Sequence, residues 1–175
     1  AEVENFRTFA EAIVPAIDIL VNNAGIDIEQ ANPGIEEVGI DLLEHVFAVN
    51  TLGTVRVCTA LLPLVRKSAL PTRGLIANTT SGLASMSNPV MMTRYGYMMS
   101  KVSINMLSRG MAFEFAEDGP TVVAWSPGWV QTRLGTPAAT YTLDEGGRGN
   151  VTTLKSITRD QSGKVIDMSG EEWSF

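Results

Sequence analysis

The sequence holds one cysteine, Cys58, and one histidine, His45, in 175 residues. A single thiol cannot build an internal disulfide framework. One thiol with one imidazole also falls short of the ligand set of a structural zinc site, so no metal is expected. Basic residues are scarce too: 13 Lys+Arg stand against 19 Asp+Glu, for a net charge of −6. Nucleic-acid binders need a basic face for phosphates, so no nucleic-acid partner is expected. No uninterrupted apolar run reaches the ~18 residues of a membrane span, and no membrane partner is expected. Glu2, Glu4, Arg7 and Glu11 lie among the first residues, which fits neither a signal peptide nor a transit peptide. Together with the lone cysteine this makes a reducing, cytoplasmic location the expectation. Internal repeats, low-complexity tracts and linkers are absent as well, so residues 1–175 read as a single domain.

What is present is 45 % apolar and 18 % charged residues, enough for one packed core. Val3, Phe6, Phe9 and Ala10 lie at helical spacing, and Pro15 follows the helix they predict. The run 17–21, broken by Asp18, reads as a buried strand that turns at Asn22-Asn23-Ala24-Gly25. Asp41 with Glu44 suggests a capping box for a long helix, 41–67, which Pro63 kinks or shortens. Further strands are expected at 74–78, 121–125 and 163–168, and helices at 95–117 and from a Thr142/Glu145 capping box to 157. Strands and helices alternate, which predicts an α/β domain: a three-layer arrangement with helices on both faces of a parallel sheet.

In an open parallel sheet, ligands bind beyond the carboxyl ends of the strands. Three such ends carry unusual residues: Asn22 to Gly25, Asn78 to Ser81, and Ser126-Pro127-Gly128. The helix after the second begins near Tyr97 and Lys101, an i, i+4 pair that shares one helix face. A phenol with a pKa of ~10 is a weak acid–base catalyst at neutral pH, and a nearby ammonium favours its ionised form. A hydroxyl such as Ser81 can hold a substrate oxygen while the phenol gives or takes a proton.

Asn-Asn-Ala-Gly, a serine three residues after Asn78, Tyr-x-x-x-Lys and Pro-Gly-x-Val-x-Thr occur here in one order. With that order the chain resembles the short-chain dehydrogenase/reductase family from residue 17 to the end. Its look is closest to the C-factor and sniffer-like carbonyl reductases, through Ser126 to Thr132 and the terminal Ser162-Gly163-Lys164, Asp167 and Gly170. The resemblance implies a doubly wound, Rossmann-like fold in strand order 3-2-1-4-5-6-7. It implies an oxidoreductase that moves a hydride between a nicotinamide cofactor and a carbonyl or alcohol. By resemblance Tyr97 is the proton donor and acceptor and also contacts the cofactor, and Lys101 lowers its pKa and bonds the nicotinamide ribose. Ser81 positions the substrate oxygen, and Asn50 holds a water in the proton relay. Asn22, Ala24 and Gly25 lie beside the cofactor, and Pro127, Gly128, Val130 and Thr132 touch the nicotinamide. NAD or NADP is the implied cofactor, with the sub-family leaning to NADP, and a homo-oligomer is the implied assembly.

Two departures stand out. The gap between Ser81 and Tyr97 is longer than is common in the family, with the excess at 86–93. Tyr95 is a decoy, since Met99 stands four residues on. Nothing before residue 17 supplies the family's strand, glycine-rich turn and helix, and Gly146-Gly147-Arg148-Gly149 reads as helix rather than phosphate loop. The expected chain therefore comprises only the C-terminal strands and helices of the fold, with the 17–21 strand left at an open edge. A fragment, a truncated gene product and a half that depends on a partner all remain open. So does a catalytically silent domain acting by binding or oligomerisation. His45 reads as a solvated helix residue, Cys58 as a packed inert thiol, and Asp18 as a strand-end residue. Met86, Met91, Met92, Met98 and Met99 read as packing or pocket lining, and Trp129 as a border of the substrate site.

Overall fold

The computed structural model describes residues 2–28, 34–87 and 94–174. Met91 and Met92, with most of the 86–93 excess before Tyr97, lie outside them. Helix α1 covers Glu2–Ile13, followed by β1 (Ile19–Asn22). Helix α2 (Ile40–Phe47) continues through a π turn, Ala48–Leu52, into α3 (Gly53–Val65). Strand β2 is Leu75–Thr79, α4 is Tyr95–Glu114, β3 is Thr121–Ser126, α5 is Leu143–Ser156, β4 is Val165–Asp167 and β5 is Glu172–Trp173.

The strands form one sheet in the order β1-β2-β3-β4-β5. The first four are parallel, and β5 returns antiparallel to β4. The short β5 was not expected from sequence. It exists because Asp167 accepts from the amides of Ser169 and Glu171 and closes a tight turn, with Gly170 at φ 89°. Alternation along the strands separates two cores. Ile76 and Val122 pack with Leu61, Leu64, Val65 and Phe115 under α1, α3 and α4. Leu75, Ala77, Val123 and Trp125 pack on the other face with Ile157 and Leu154. The three-layer expectation therefore holds. β1 is an edge strand that pairs with β2 alone among the described residues, and Val21 is 41 % exposed.

Several helix details differ from the sequence reading. α2 starts after Gly39 with no side-chain cap, so Asp41 is not the cap: the cap position is two residues earlier, and Asp41 lies in the first turn. Pro63 lies inside α3 without ending it. Only Ala10 of the apolar face expected for α1 is buried, while Phe6 and Phe9 are more than half exposed. The Thr142/Glu145 capping box is present, and Gly146, Gly147 and Gly149 lie within α5. The continuous helical stretch Ile40–Val65 is long and apolar enough by average composition to cross a membrane. Its polar positions break any apolar run, and one face of it is the core under β2.

Candidate active site

Register aligns the carboxyl ends of the first three strands, with Asn22 beside Asn78 and Asn78 beside Ala124. The loops that leave them therefore emerge along one rim. The Asn22 side chain faces the α3–α4 layer. Its Nδ2 donates to Asn78 Oδ1 at 2.8 Å and to Cys58 Sγ at 3.1 Å, and Asn78 Nδ2 donates to Ser108 Oγ at 3.0 Å. This buried network ties β1, β2, α3 and α4 together, so the side-chain amide of Asn22 serves the framework. Burial pushes the Cys58 thiol up to about 11, which fits the inert reading.

Asn50 sits in the π turn and is 1 % exposed. Its Oδ1 accepts from the Ile26 amide at 2.8 Å, and its Nδ2 donates to the Ile26 carbonyl at 2.9 Å and to Ser100 Oγ at 3.0 Å. Ser100 in turn donates to the Tyr97 carbonyl at 2.7 Å. Asn50 thus fastens the loop after β1 to the first turns of α4. The sequence carried no sign of the widened turn that presents it, although π turns recur at functional sites. Replacing Asn50 with Ala strands the Ile26 groups, and is expected to cost about 2–4 kcal/mol of stability in denaturant titration.

The Ser81 side chain acts on Tyr97 as a hydrogen-bonding partner that favours the phenolate. Ser81 caps a 3-10 turn, Gly82–Ala84, and its Oγ accepts from the Leu83 amide at 3.2 Å. That leaves its proton for the phenol oxygen. Tyr97 is 9 % exposed. Burial raises its pKa most, Asp27 adds to the rise, and the Ser81 bond and Arg94 oppose it. Lys101 lies one turn on, with Nζ 5.6 Å from the Tyr97 ring centroid. It is 3 % exposed, donates to the Thr79 carbonyl at 2.8 Å, and is pushed down to about 8 by burial. The resemblance assigns Lys101 the lowering of the phenol. Arg94 is a second cation that acts to lower it.

Gly25 shows why a glycine stands at the end of Asn22 to Gly25. A Cβ there would sit 3.4 Å from both Asn50 Oδ1 and Lys101 Nζ, and any larger side chain would cover them. Ala24 and Gly25 are exposed at this rim. The Ser126-Pro127-Gly128 segment is held against α5. Pro127 accepts from Asn150 Nδ2 at 3.0 Å, Gly128 adopts φ 77°, and a Cβ on Gly128 would meet the Tyr141 ring at 3.2 Å. Val130 forms a bridge with Tyr141 and packs over Gly146. Thr132 turns away to cap its own loop, its Oγ1 accepting from the Gly135 amide at 3.0 Å.

Asn50, Ser81, Tyr97 and Lys101 are thus brought together by the π turn, the turn after β2, and α4. The short chain dehydrogenase family profile matches residues 1–142. The chain belongs to the short chain dehydrogenase family. C-signal of Myxococcus xanthus is 33 % identical over 167 residues, 95 % of this chain and 98 % of that protein. The carbonyl reductase Sniffer of D. melanogaster superposes with a TM-score of 0.92 at 23 % identity, over 99 % of this chain and 73 % of Sniffer. A short-chain dehydrogenase/reductase of Burkholderia multivorans with bound NADP superposes with a TM-score of 0.83 at 29 % identity, over 99 % of this chain and 74 % of that one. The chain spans less than half the length of some curated relatives it matches.

Three residues beside the dehydrogenase constellation were missed from sequence. Asp27 and Arg94 pair across the loop after β1. Trp173 of β5 donates from Nε1 to Asp167 Oδ2 at 3.1 Å, and its ring stands 3.5 Å from where a Cβ on Gly82 would lie, so it backs the Ser81 turn. Pairs so distant in sequence leave no periodic trace. Trp129 is 54 % exposed and Met86 76 % exposed.

Proposed function

We propose that the chain is the catalytic portion of an NAD(P)-dependent oxidoreductase that reduces a small-molecule carbonyl or oxidises the corresponding alcohol. The observation that carries this reading is the convergence of Tyr97, Ser81 and buried Lys101 at the rim where three parallel strands end. NADP is favoured over NAD, supported by the NADP-bound Burkholderia relative.

The residues present fit the nicotinamide half of such a cofactor. The cradle that a Cβ on Gly25 would fill opens onto Lys101 Nζ and Asn50 Oδ1. An ammonium has three donors, and one of those on Lys101 meets Thr79, which leaves donors for ribose hydroxyls. Ala24, Gly25, Pro127, Gly128, Val130 and Thr132 would border the group. Asn22 supports it from beneath through the framework. When bound, the dinucleotide supplies or accepts the hydride. Ser81 holds the substrate oxygen. Tyr97 gives that oxygen a proton, or takes one in the reverse direction. Lys101 adds positive charge beside the phenol, and Asn50 keeps the loop and α4 in register.

A cytoplasmic location and a homo-oligomer belong to the same reading. Met99, Val102, Met106 and Phe113 leave an exposed apolar surface along α4, which is suited to a second copy. A second reading, a silent domain acting by binding or oligomerisation, is favoured by one observation: β1 is an edge strand with Val21 exposed.

Titrating the 175-residue chain with NADPH and with NADH, followed by absorbance assays on a panel of aldehydes and ketones, separates the two. Saturable binding with turnover is the expected result. Failure to bind either dinucleotide would favour the silent domain.

A further inference from the structure

An ion pair stands between the loop after β1 and the start of α4. Asp27 is buried, with its side chain 6 % exposed, and Arg94 bonds its Oδ2 through Nη1. A carboxylate that deep needs a partner of opposite charge. Arg94 is the residue that precedes α4, and its carbonyl accepts from the Met98 amide at 2.8 Å. Ile26, next to Asp27, is held through both its backbone groups by Asn50. The loop is therefore tied to α4 twice, once on each side of Tyr97: by Asn50 through Ser100, and by Asp27 through Arg94.

Among the described residues, the charged and polar groups that act on or lie against Tyr97 are Ser81 from the turn after β2, Asp27 from the loop after β1, Arg94 just before α4 and Lys101 from α4. Asp27 acts to raise the phenol pKa and Arg94 to lower it. The two effects are opposed, so the balance between the charges matters as well as the tie that holds them.

We propose that Asp27 and Arg94 form a positioning pair for proton transfer at Tyr97, joining the loop after β1 to the start of α4 and keeping two opposite charges beside the phenol. The proposal rests on Tyr97 as the acid–base group. Its readout is the titration of the phenol itself, which needs neither cofactor nor turnover, so a chain that fails to bind NADPH leaves this test intact.

The experiment labels the three tyrosines of the full chain with 13C at Cζ, assigns Tyr97 through Tyr97→Phe, and follows its titration by NMR. Asp27→Asn is expected to make the phenol titrate at lower pH, and Arg94→Gln at higher pH. Arg94→Lys keeps the charge and is expected to restore the parent titration. Opposite shifts with rescue support the proposal. No shift, shifts in one common direction, or Arg94→Lys behaving as Arg94→Gln would overturn it, because a merely structural tie would loosen the site in the same way from either end. If a single variant fails to fold, the double variant Asp27→Asn/Arg94→Gln leaves neither charge unpaired. Its phenol is expected to titrate near the parent value with a broadened Tyr97 resonance. A sharp, parent-like resonance there would overturn the positioning role.

Discussion

Replacing Tyr97 with Phe in an active form of the enzyme is expected to lower turnover by about 10²–10⁴-fold, the usual contribution of one positioned acid–base group. The substitution removes one oxygen and keeps the ring, which is 9 % exposed. The lost bond to Ser81 is a single neutral hydrogen bond, so stability should change by only about 1 kcal/mol. NADPH affinity should fall far less than turnover, because most of the dinucleotide's contacts are assigned elsewhere on the rim. Steady-state kinetics with a separate binding titration makes the distinction: kcat collapses while the cofactor still binds. Unchanged turnover would remove Tyr97 from the mechanism. The pH dependence has a definite sign. Burial raises the phenol above its ordinary value, so Tyr97 is protonated throughout the neutral range. Carbonyl reduction, which needs the phenol as donor, should be flat there and fall at alkaline pH. Alcohol oxidation, which needs the phenolate, should rise with pH.

The second large effect concerns Lys101, where function and stability oppose each other. Its ammonium is 3 % exposed and pushed down from 10.5 to about 8 by burial. The unfolded chain therefore binds more protons than the folded chain between those values, and stability rises with pH across that window. Below it the full desolvation penalty applies, on the order of 3 kcal/mol. Lys101→Met removes the charge and also the bond to the Thr79 carbonyl, which costs about 1 kcal/mol. The net expectation at pH 7 is a variant about 2 kcal/mol more stable and with little or no turnover. Denaturant titrations at a series of pH values would show the parent gaining on the variant as pH rises above 8. The Cys58 thiol, pushed up from 9.0 to about 11, acts in the opposite direction above 9, so the lower part of the window is the clearest. A destabilised Lys101→Met chain at neutral pH would show that the buried ammonium is better compensated than its surroundings indicate.

The stability gain and the loss of function have one origin. A buried cation beside a phenol is unfavourable for folding, and its electrostatic use depends on its being withheld from water. The rim where it sits is also tied down by Asn50, which uses its side-chain amide on Ile26 and Ser100.

The strand ends, the Tyr97–Lys101 helix face and the Thr142/Glu145 cap were legible in the chain because each is a local pattern with a period or a spacing. The placement of Gly146, Gly147 and Gly149 in a helix followed from the same cap. The π turn at Ala48–Leu52 was not legible, since no local residue demands it and the contacts that use it come from α4 and the β1 loop. The start of α2 was misplaced because Asp41 and Glu44 satisfy a capping pattern that the backbone does not adopt. The antiparallel β5 was hidden in a two-residue strand, Glu172–Trp173, whose pairing depends on the Asp167 turn.

Motif order was enough to name the family, and the alternation of strands and helices to name the α/β class, because those properties reside in residue type and spacing; the same spacing is what proposes Asn50, Ser81, Tyr97 and Lys101 as a set. Which group modulates the phenol was decided by folding. Burial, Ser81, Asp27 and Arg94 act on Tyr97, and they reach it from three separate segments of chain. Electrostatic influence depends on distance and dielectric in space, and a linear spacing encodes neither.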